Sequence, residues 1–227
     1  MRLLLIRHGQ TPSNVAGRLD TAFPGPGLTP LGQAQAAALP AALRAENVTA
    51  VYASPLVRTQ LTAAPLAAAR DLEVQVVPGF EEVSAGELEL RADSDAVHAY
   101  IGCLVGWMQG DLDRAMPGDA DGQAFVARFD AAVRRVAAQH GPGDTVAVVS
   151  HGAAIRVWTG LRAVGLGAEA AGEREIRNTG MAALEGDPAA GWRLASWSSE
   201  PLGGVELEDV AAHDVTGERV DEAVAED

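Results

Sequence analysis

The chain has one cysteine, Cys103, no lysine, few aromatics (4%) and no long apolar run. A single cysteine excludes an intrachain disulfide, which fits a reducing compartment. No stretch approaches the ~18 consecutive apolar residues of a membrane helix. The apolar part of MRLLLIRHG is also too short for the core of a secretory leader. The expectation is a cytoplasmic protein with no membrane partner. The missing lysine makes every strongly basic side chain an arginine, read as compositional bias. The formal net charge is −14, with 31 acids against 17 bases, so nucleic acid is not an expected partner. The acidity is uneven: residues 205–227 hold nine acids and one base, Arg219, or −8 of the −14. An anionic ligand must then be drawn by a local arginine cluster, not by the field of the whole chain.

The 227 residues fit one sizeable domain able to bury a full core. Residues 1–14, MRLLLIRHGQTPSN, organise the rest. Leu3, Leu4, Leu5 and Ile6 have the length and composition of a strand buried on both faces. The run stops at Arg7-His8-Gly9, where Gly9 permits a sharp turn, and Thr11, Pro12, Ser13 and Asn14 open a turn or helix. Arg7 and His8 should stand at the carboxyl end of a central strand, where open α/β sheets hold ligands. An imidazole beside a permanent cation and a turn rich in N–H donors suits phosphoryl chemistry.

Further along, residues 17–32 read as a loop. Thr29 and Pro30 then cap and start a helix running towards Arg44, with Pro40 able to kink it. Strands are predicted at 48–53 and 74–77, and a helix from Leu56 to about Ala69. Residues 78–90 read as irregular and acidic. Residues 91–121 read as the least regular interior part. Helical periodicity returns at Phe125, Phe129, Val133 and Val136. A strand at 145–149 runs into Ser150-His151-Gly152, followed by a helix to about Leu161. Residues 176–184 read as a turn feeding a strand, and 192–197 as the last strand. This alternation predicts a three-layer α/β/α sandwich with a mainly parallel sheet. Residues 1–204 should form the domain, with 91–124 as lid or insertion. Residues 205–227 should form an acidic tail, mobile or loosely docked.

Two apolar strands each end in His-Gly, at His8-Gly9 and at His151-Gly152. In a parallel sheet both histidines emerge from one edge. A third strand ends at Ser54-Pro55-Leu56-Val57-Arg58, with Arg58 in the first turn of a helix. Arg7, Arg58, His8 and His151 can then converge on one tetrahedral anion, since guanidinium groups bind phosphate oxygens bidentately and helix N-termini add N–H donors. One imidazole would attack phosphorus while the other stabilises the equatorial oxygens. Taken alone, a histidine after a strand is more often structural. His98, His140 and His213 are read as solvated or structural, and their spacing suggests no metal site. Cys103 reads as a small buried residue.

The stretches RHGQTPSN, SPLVRTQLTA and VVSHG, in that order, resemble the histidine phosphatase superfamily, also called phosphoglycerate mutase-like. LTPLGQAQA at residues 28–36 is similar to that family's LTxxGxxQA helix start, and the turns at Met116-Pro117-Gly118 and Asn178-Thr179-Gly180 also have counterparts. The resemblance implies a phosphatase acting on a small phosphomonoester without metal or organic cofactor. It makes His8 the nucleophile, phosphorylated in turnover, with Arg7, Arg58 and His151 forming the phosphate pocket, Asn14 a further contact and Thr11 a hydroxyl in the same motif. A homodimer is a family-level expectation.

The proton donor in such a family is a carboxylate from a segment like LxExxxGxxEG. Residues 80–90, FEEVSAGELEL, match that spacing with Glu82 as the acid. Leu90 replaces the usual final glycine and Glu81 stands where arginine is frequent, which leaves Glu81 as the acid, or a shifted loop, as alternatives. The family's mutases carry ERHYG after the glutamate. Val83-Ser84-Ala85-Gly86 here lacks those cationic and aromatic contacts, which favours a phosphatase over a phosphoglycerate mutase, while the departures in the glutamate segment permit a catalytically weak phosphate-binding module as the other alternative. Residues 17–27 and 91–121 are expected to roof the pocket and set the substrate.

Overall fold

The computed structural model describes residues 1–209, 211–212 and 214–219. His213 and the end of the acidic tail lie outside the described residues.

The sheet grows from β1 (Arg2–Arg7), whose Leu3, Leu4, Leu5 and Ile6 are all buried. After it come α1 (Pro12–Val15), α2 (Pro30–Ala42), β2 (Val48–Ala53), α3 (Val57–Ala68) and β3 (Val74–Val76). The second half contains α4 (Ser94–Met108), α5 (Gly122–Ala137), β4 (Thr145–Ser150), α6 (Gly152–Arg162), β5 (Ala163–Val164), α7 (Ala168–Gly172), β6 (Met181–Asp187) and β7 (Gly191–Ser198). The strand order is β3-β2-β4-β1-β6-β7-β5. The first four strands are parallel, β6 runs antiparallel to β1, and β7 antiparallel to β6.

Alternation along β1 splits the core into two layers, as the pleat requires. Leu3 and Leu5 face Tyr52, Val146, Val148 and the buried sides of α4, α5 and α6; Leu4 and Ile6 face Val51, Ala147, Val149 and Leu39, Ala63 and Leu66 of α2 and α3. Burying each such side chain is worth roughly 1.5–3 kcal/mol. This is the expected three-layer sandwich. Thr29 caps α2 as its sequence suggests, accepting the Gly32 N–H at 3.0 Å. Pro40 lies inside α2, whose ordered helix continues to Ala42.

The turn after β1 packs on the start of α2 so closely that a Cβ at Gly9 would lie 2.6 Å from the Gly32 carbonyl oxygen. His8 then leaves the sheet beside β4, its backbone N–H bonded to the Ser150 carbonyl at 3.0 Å.

Two expectations need correction. Much of residues 91–121 is not irregular: α4 is a fifteen-residue helix capped by Asp93, with Tyr100, Cys103, Leu104 and Trp107 in the core. Gly102 and Gly106 obscure it in the sequence because glycine disfavours helix interiors. The helix tolerates them where the Arg114 side chain lies across their surface. The tail is not loose throughout, since Asp214, Val215, Thr216 and Glu218 are buried. Val215 joins the main apolar core, while ion pairing and hydrogen bonding hold Asp214 and Thr216.

Candidate active site

At the carboxyl edge of the sheet, β1 delivers Arg7 and His8, β2 delivers Ser54 and the start of α3 with Arg58, and β4 delivers His151. The His8 and His151 rings meet edge to face, centroids 5.2 Å apart. His8 Nδ1 lies 2.8 Å from the Gly9 carbonyl oxygen. That oxygen can only accept, so Nδ1 carries the proton and Nε2 presents a lone pair. Burial holds the His8 pKa well below its usual 6.5, helped by the Arg58 and Arg7 charges. The neutral, nucleophilic form is therefore the resident one.

His151 Nε2 shares a 2.8 Å hydrogen bond with Ser54 Oγ. Ser54 is in turn 3.1 Å from Thr59 Oγ1. The other nitrogen of His151, Nδ1, is buried without a partner. Burial, followed by Arg58, depresses the His151 pKa strongly.

Arg58 is 2% exposed. Its Nη2 donates to the Asp20 carbonyl at 2.9 Å, while Nε and Nη1 have no hydrogen-bond acceptor. Burial lowers its pKa, although Glu82 and Asp20 oppose this. Arg7 is fully buried. Its Nη1 donates to the Ile176 carbonyl and its Nη2 to Thr216 Oγ1, both at 2.9 Å, and Nη2 pairs with Asp214 at 2.6 Å. Arg7 Nε has no acceptor. The unpartnered donors of Arg7 and Arg58 and the bare His151 Nδ1 are what an oxyanion would satisfy, because buried polar groups normally have partners.

The two glutamates of the acidic segment face different ways. Glu81 is half-buried, paired with Arg128 at 2.9 Å and accepting the Gly79 N–H. Glu82 is 4% exposed. Its carboxylate accepts the N–H groups of Val83 and Ala154, both at 2.8 Å, and of Ala153 at 3.2 Å. It therefore sits on the N-terminus of α6, immediately after His151. Burial raises the Glu82 pKa, outweighing those N–H donors and the Arg58 and Arg7 charges. The carboxyl thus holds its proton towards higher pH than an exposed glutamate. Arg128 Nη2 donates to the Glu82 carbonyl at 3.0 Å and Nη1 to those of Gly79 and Glu81. A cleft of ≈ 480 Å³, lined by Thr21, Ser84, Arg128 and Arg135 among others, opens on Glu82.

Thr11 and Asn14 form a capping box at α1: the Thr11 hydroxyl accepts the Asn14 N–H, and Asn14 Oδ1 accepts the Thr11 N–H at 2.9 Å. Asn14 Nδ2 donates to Asp214 Oδ1 at 3.1 Å. Of the two stretches expected over the pocket, residues 17–27 lie against Arg58 through Asp20. The other contributes α4, whose Tyr100 hydroxyl donates to the Val83 carbonyl at 2.9 Å, supporting the Glu82 segment within the core. Sequence reasoning missed Asn178, which donates to the His8 carbonyl, as well as Arg128, Asp214 and Thr216. Only Asn178 carried a signal, in its Asn-Thr-Gly turn. His98 is exposed near Ser94, and His140 bonds the Tyr52 hydroxyl at 2.9 Å. Among the described residues, no three or more His, Cys, Asp or Glu cluster in a way that could hold a metal ion. None of the described helices is long and apolar enough to cross a membrane.

A model of the histidine phosphatase superfamily (branch 1) matches residues 3–200. A PE-PGRS family protein of Mycobacterium tuberculosis is 36% identical over 217 residues, which is 89% of this chain and 37% of that longer protein. An adenosylcobalamin/alpha-ribazole phosphatase of Salmonella typhimurium is 34% identical over 66% of this chain and 74% of its own. Among solved structures, a mycobacterial glucosyl-3-phosphoglycerate phosphatase complexed with VO3 superposes with a TM-score of 0.74 at 26% identity, covering 88% of this chain and 99% of that one.

Proposed function

The chain belongs to the histidine phosphatase superfamily, branch 1, and from that premise we propose that it hydrolyses a small phosphomonoester through a phosphohistidine on His8, without a metal ion. One observation carries the mechanism: the Gly9 carbonyl fixes the proton of His8 on Nδ1, leaving Nε2 free and unprotonated at the mouth of a cluster of unpartnered cationic donors.

In the first half-reaction His8 Nε2 attacks phosphorus and the P–O bond to the alcohol breaks. Arg7, Arg58 and His151 take up the charge on the equatorial oxygens, where preorganised donors act most strongly. Asn14 and Thr11 shape the turn beneath them. Glu82 gives its proton to the leaving alkoxide, then takes one from the water that cleaves the P–N bond, releasing inorganic phosphate and restoring His8. The raised Glu82 pKa supports the donor role.

The surroundings of Glu82 favour transfer to water over transfer within a phosphoglycerate. Val83-Ser84-Ala85-Gly86 stands in the place of a mutase's cationic and aromatic contacts, and Ser84 there hydrogen-bonds Asp119.

The test is phosphate release from p-nitrophenyl phosphate with a chelator present. The expected result is turnover by the wild type, none by His8→Ala, and an acid-labile phosphoenzyme in the wild type alone. A fully active His8→Ala protein overturns the reading. Interconversion of phosphoglycerates with little release of phosphate overturns the hydrolase in favour of a mutase.

A further inference from the structure

The acidic tail re-enters the molecule at Asp214 and makes contacts that the phosphatase reading does not use. We propose that residues 214–218 form a strap that completes the site, with Asp214 as the positioning residue for Arg7 and Asn14. The inference rests on the phosphatase reading above.

Asp214 Oδ2 is 2.6 Å from Arg7 Nη2 and Asp214 Oδ1 accepts Asn14 Nδ2 at 3.1 Å. One buried carboxylate therefore ties together two residues that flank His8 in the sequence. Thr216 Oγ1 accepts the same Arg7 Nη2, while Nη1 goes to the Ile176 carbonyl. Every terminal nitrogen of Arg7 is thus engaged behind the site, and its one unpartnered atom is Nε. A planar guanidinium gripped along one edge can present its remaining donor in only one direction.

Close approach shows that this docking is built into the chain. A Cβ at Gly152, the residue after His151, would lie 2.3 Å from the Thr216 carbonyl oxygen. A Cβ at Gly217 would lie 1.9 Å from Arg7 Nη1. Neither position accepts a side chain while the strap is seated. Arg156, on the helix that begins beside His151, is fully buried and donates to the carbonyls of Thr216, at 2.6 Å, and Glu218. The strap closes on itself as well: the Asp214 N–H donates to Glu218 Oε1, and the Gly217 N–H to the Asp214 carbonyl at 2.8 Å. It also pairs with the body through the Ile176 N–H and the Gly217 carbonyl at 2.8 Å.

The experiment compares full-length wild type, Asp214→Asn, Thr216→Val and Gly217→Ala. It measures p-nitrophenyl phosphate kinetics, inhibition by inorganic phosphate, and thermal midpoints. Mispositioning by about 1 Å can cost as much as ~100-fold in rate. Asp214→Asn is expected to lower kcat/KM roughly 10- to 100-fold and weaken phosphate inhibition. In an Arg7→Ala background it should add almost nothing. Gly217→Ala should act in the same direction without changing charge, and it carries the test if Asp214→Asn does not fold. A faster Asp214→Asn enzyme, or one bound more tightly by phosphate, overturns positioning and shows that the carboxylate competes with substrate. Variants that match an active wild type overturn the strap alone. A wild type that neither turns over aryl phosphate nor binds phosphate overturns the phosphatase reading beneath it.

Discussion

Glu82 accepts the Ala154 backbone N–H at 2.8 Å, three residues beyond His151, so the carboxyl and the second histidine share one helix start. Burial nevertheless holds the Glu82 proton more tightly than in an exposed glutamate. Glu82→Gln keeps the shape and removes the titratable proton. The expected loss is about 10²- to 10⁴-fold in kcat for an alkyl phosphate, whose alkoxide needs protonation. The loss should be smaller for p-nitrophenyl phosphate, whose leaving group does not. Equal losses on both substrates would remove Glu82 from the donor role.

The pH profile follows from two opposite shifts. His8 must be neutral to attack, and its pKa is depressed from 6.5, so the rising limb lies on the acid side of 6.5. Glu82 must be protonated to donate, and its pKa is raised from 4.5, so the falling limb lies on the alkaline side of 4.5. Initial rates across pH should give a bell whose rising limb lies below pH 6.5, and Glu82→Gln should abolish its falling limb.

Stability should carry the sign of the two histidines. Both are buried with depressed pKa values, so below pH 6.5 the unfolded chain binds protons that the folded chain refuses. Stability rises with pH wherever the unfolded state binds more protons. The histidine contribution should therefore weaken as pH falls below 6.5, opposed by the raised Glu82 pKa, and denaturant melts of His8→Asn should show a smaller loss towards acid pH than those of the wild type.

Arg128 holds the carbonyls of Gly79, Glu81 and Glu82 with a forked guanidinium. Lysine keeps the charge and loses the fork. Arg128→Lys should lower kcat for alkyl phosphates roughly 10-fold, with KM little changed, because the Glu82 segment is released while the phosphate donors stay. A KM-only effect would place Arg128 on the substrate instead.

Phe129 packs against Phe80 and Trp158, with ring centroids 5.2 and 5.1 Å away, and is fully buried. Phe129→Ala should cost roughly 3–5 kcal/mol by chemical denaturation. The Phe80 carbonyl accepts the Ser150 hydroxyl beside His151, so activity should fall with stability. A loss under 1 kcal/mol would mean that this wall relaxes.

Much of the architecture could be read in the residues themselves. Leu3 to Ile6, Val48 to Ala53 and Thr145 to Val149 announce strands by local composition, and Thr29 with Pro30 announces a helix start. Those signals lie within a few residues, which is why they are legible in the sequence. The two His-Gly strand ends placed His8 and His151 on one edge once the sheet was taken as parallel. The α4 helix was hidden by its glycines, which local propensity penalises and over which the Arg114 side chain lies.

By itself the sequence determined the strand-helix alternation, the family motifs and the convergence of Arg7, His8, Arg58 and His151, because each follows from local pattern and topology. Only the tertiary structure decided which way Glu81 and Glu82 face, since neighbouring side chains of one type differ only in what surrounds them. It also decided that Asp214 reaches Arg7, some two hundred residues away. In the sequence that carboxylate is one acid among nine in a polar tail. Gly152 and the buried Arg156, remote in the chain and adjacent in space, seat the strap that carries it.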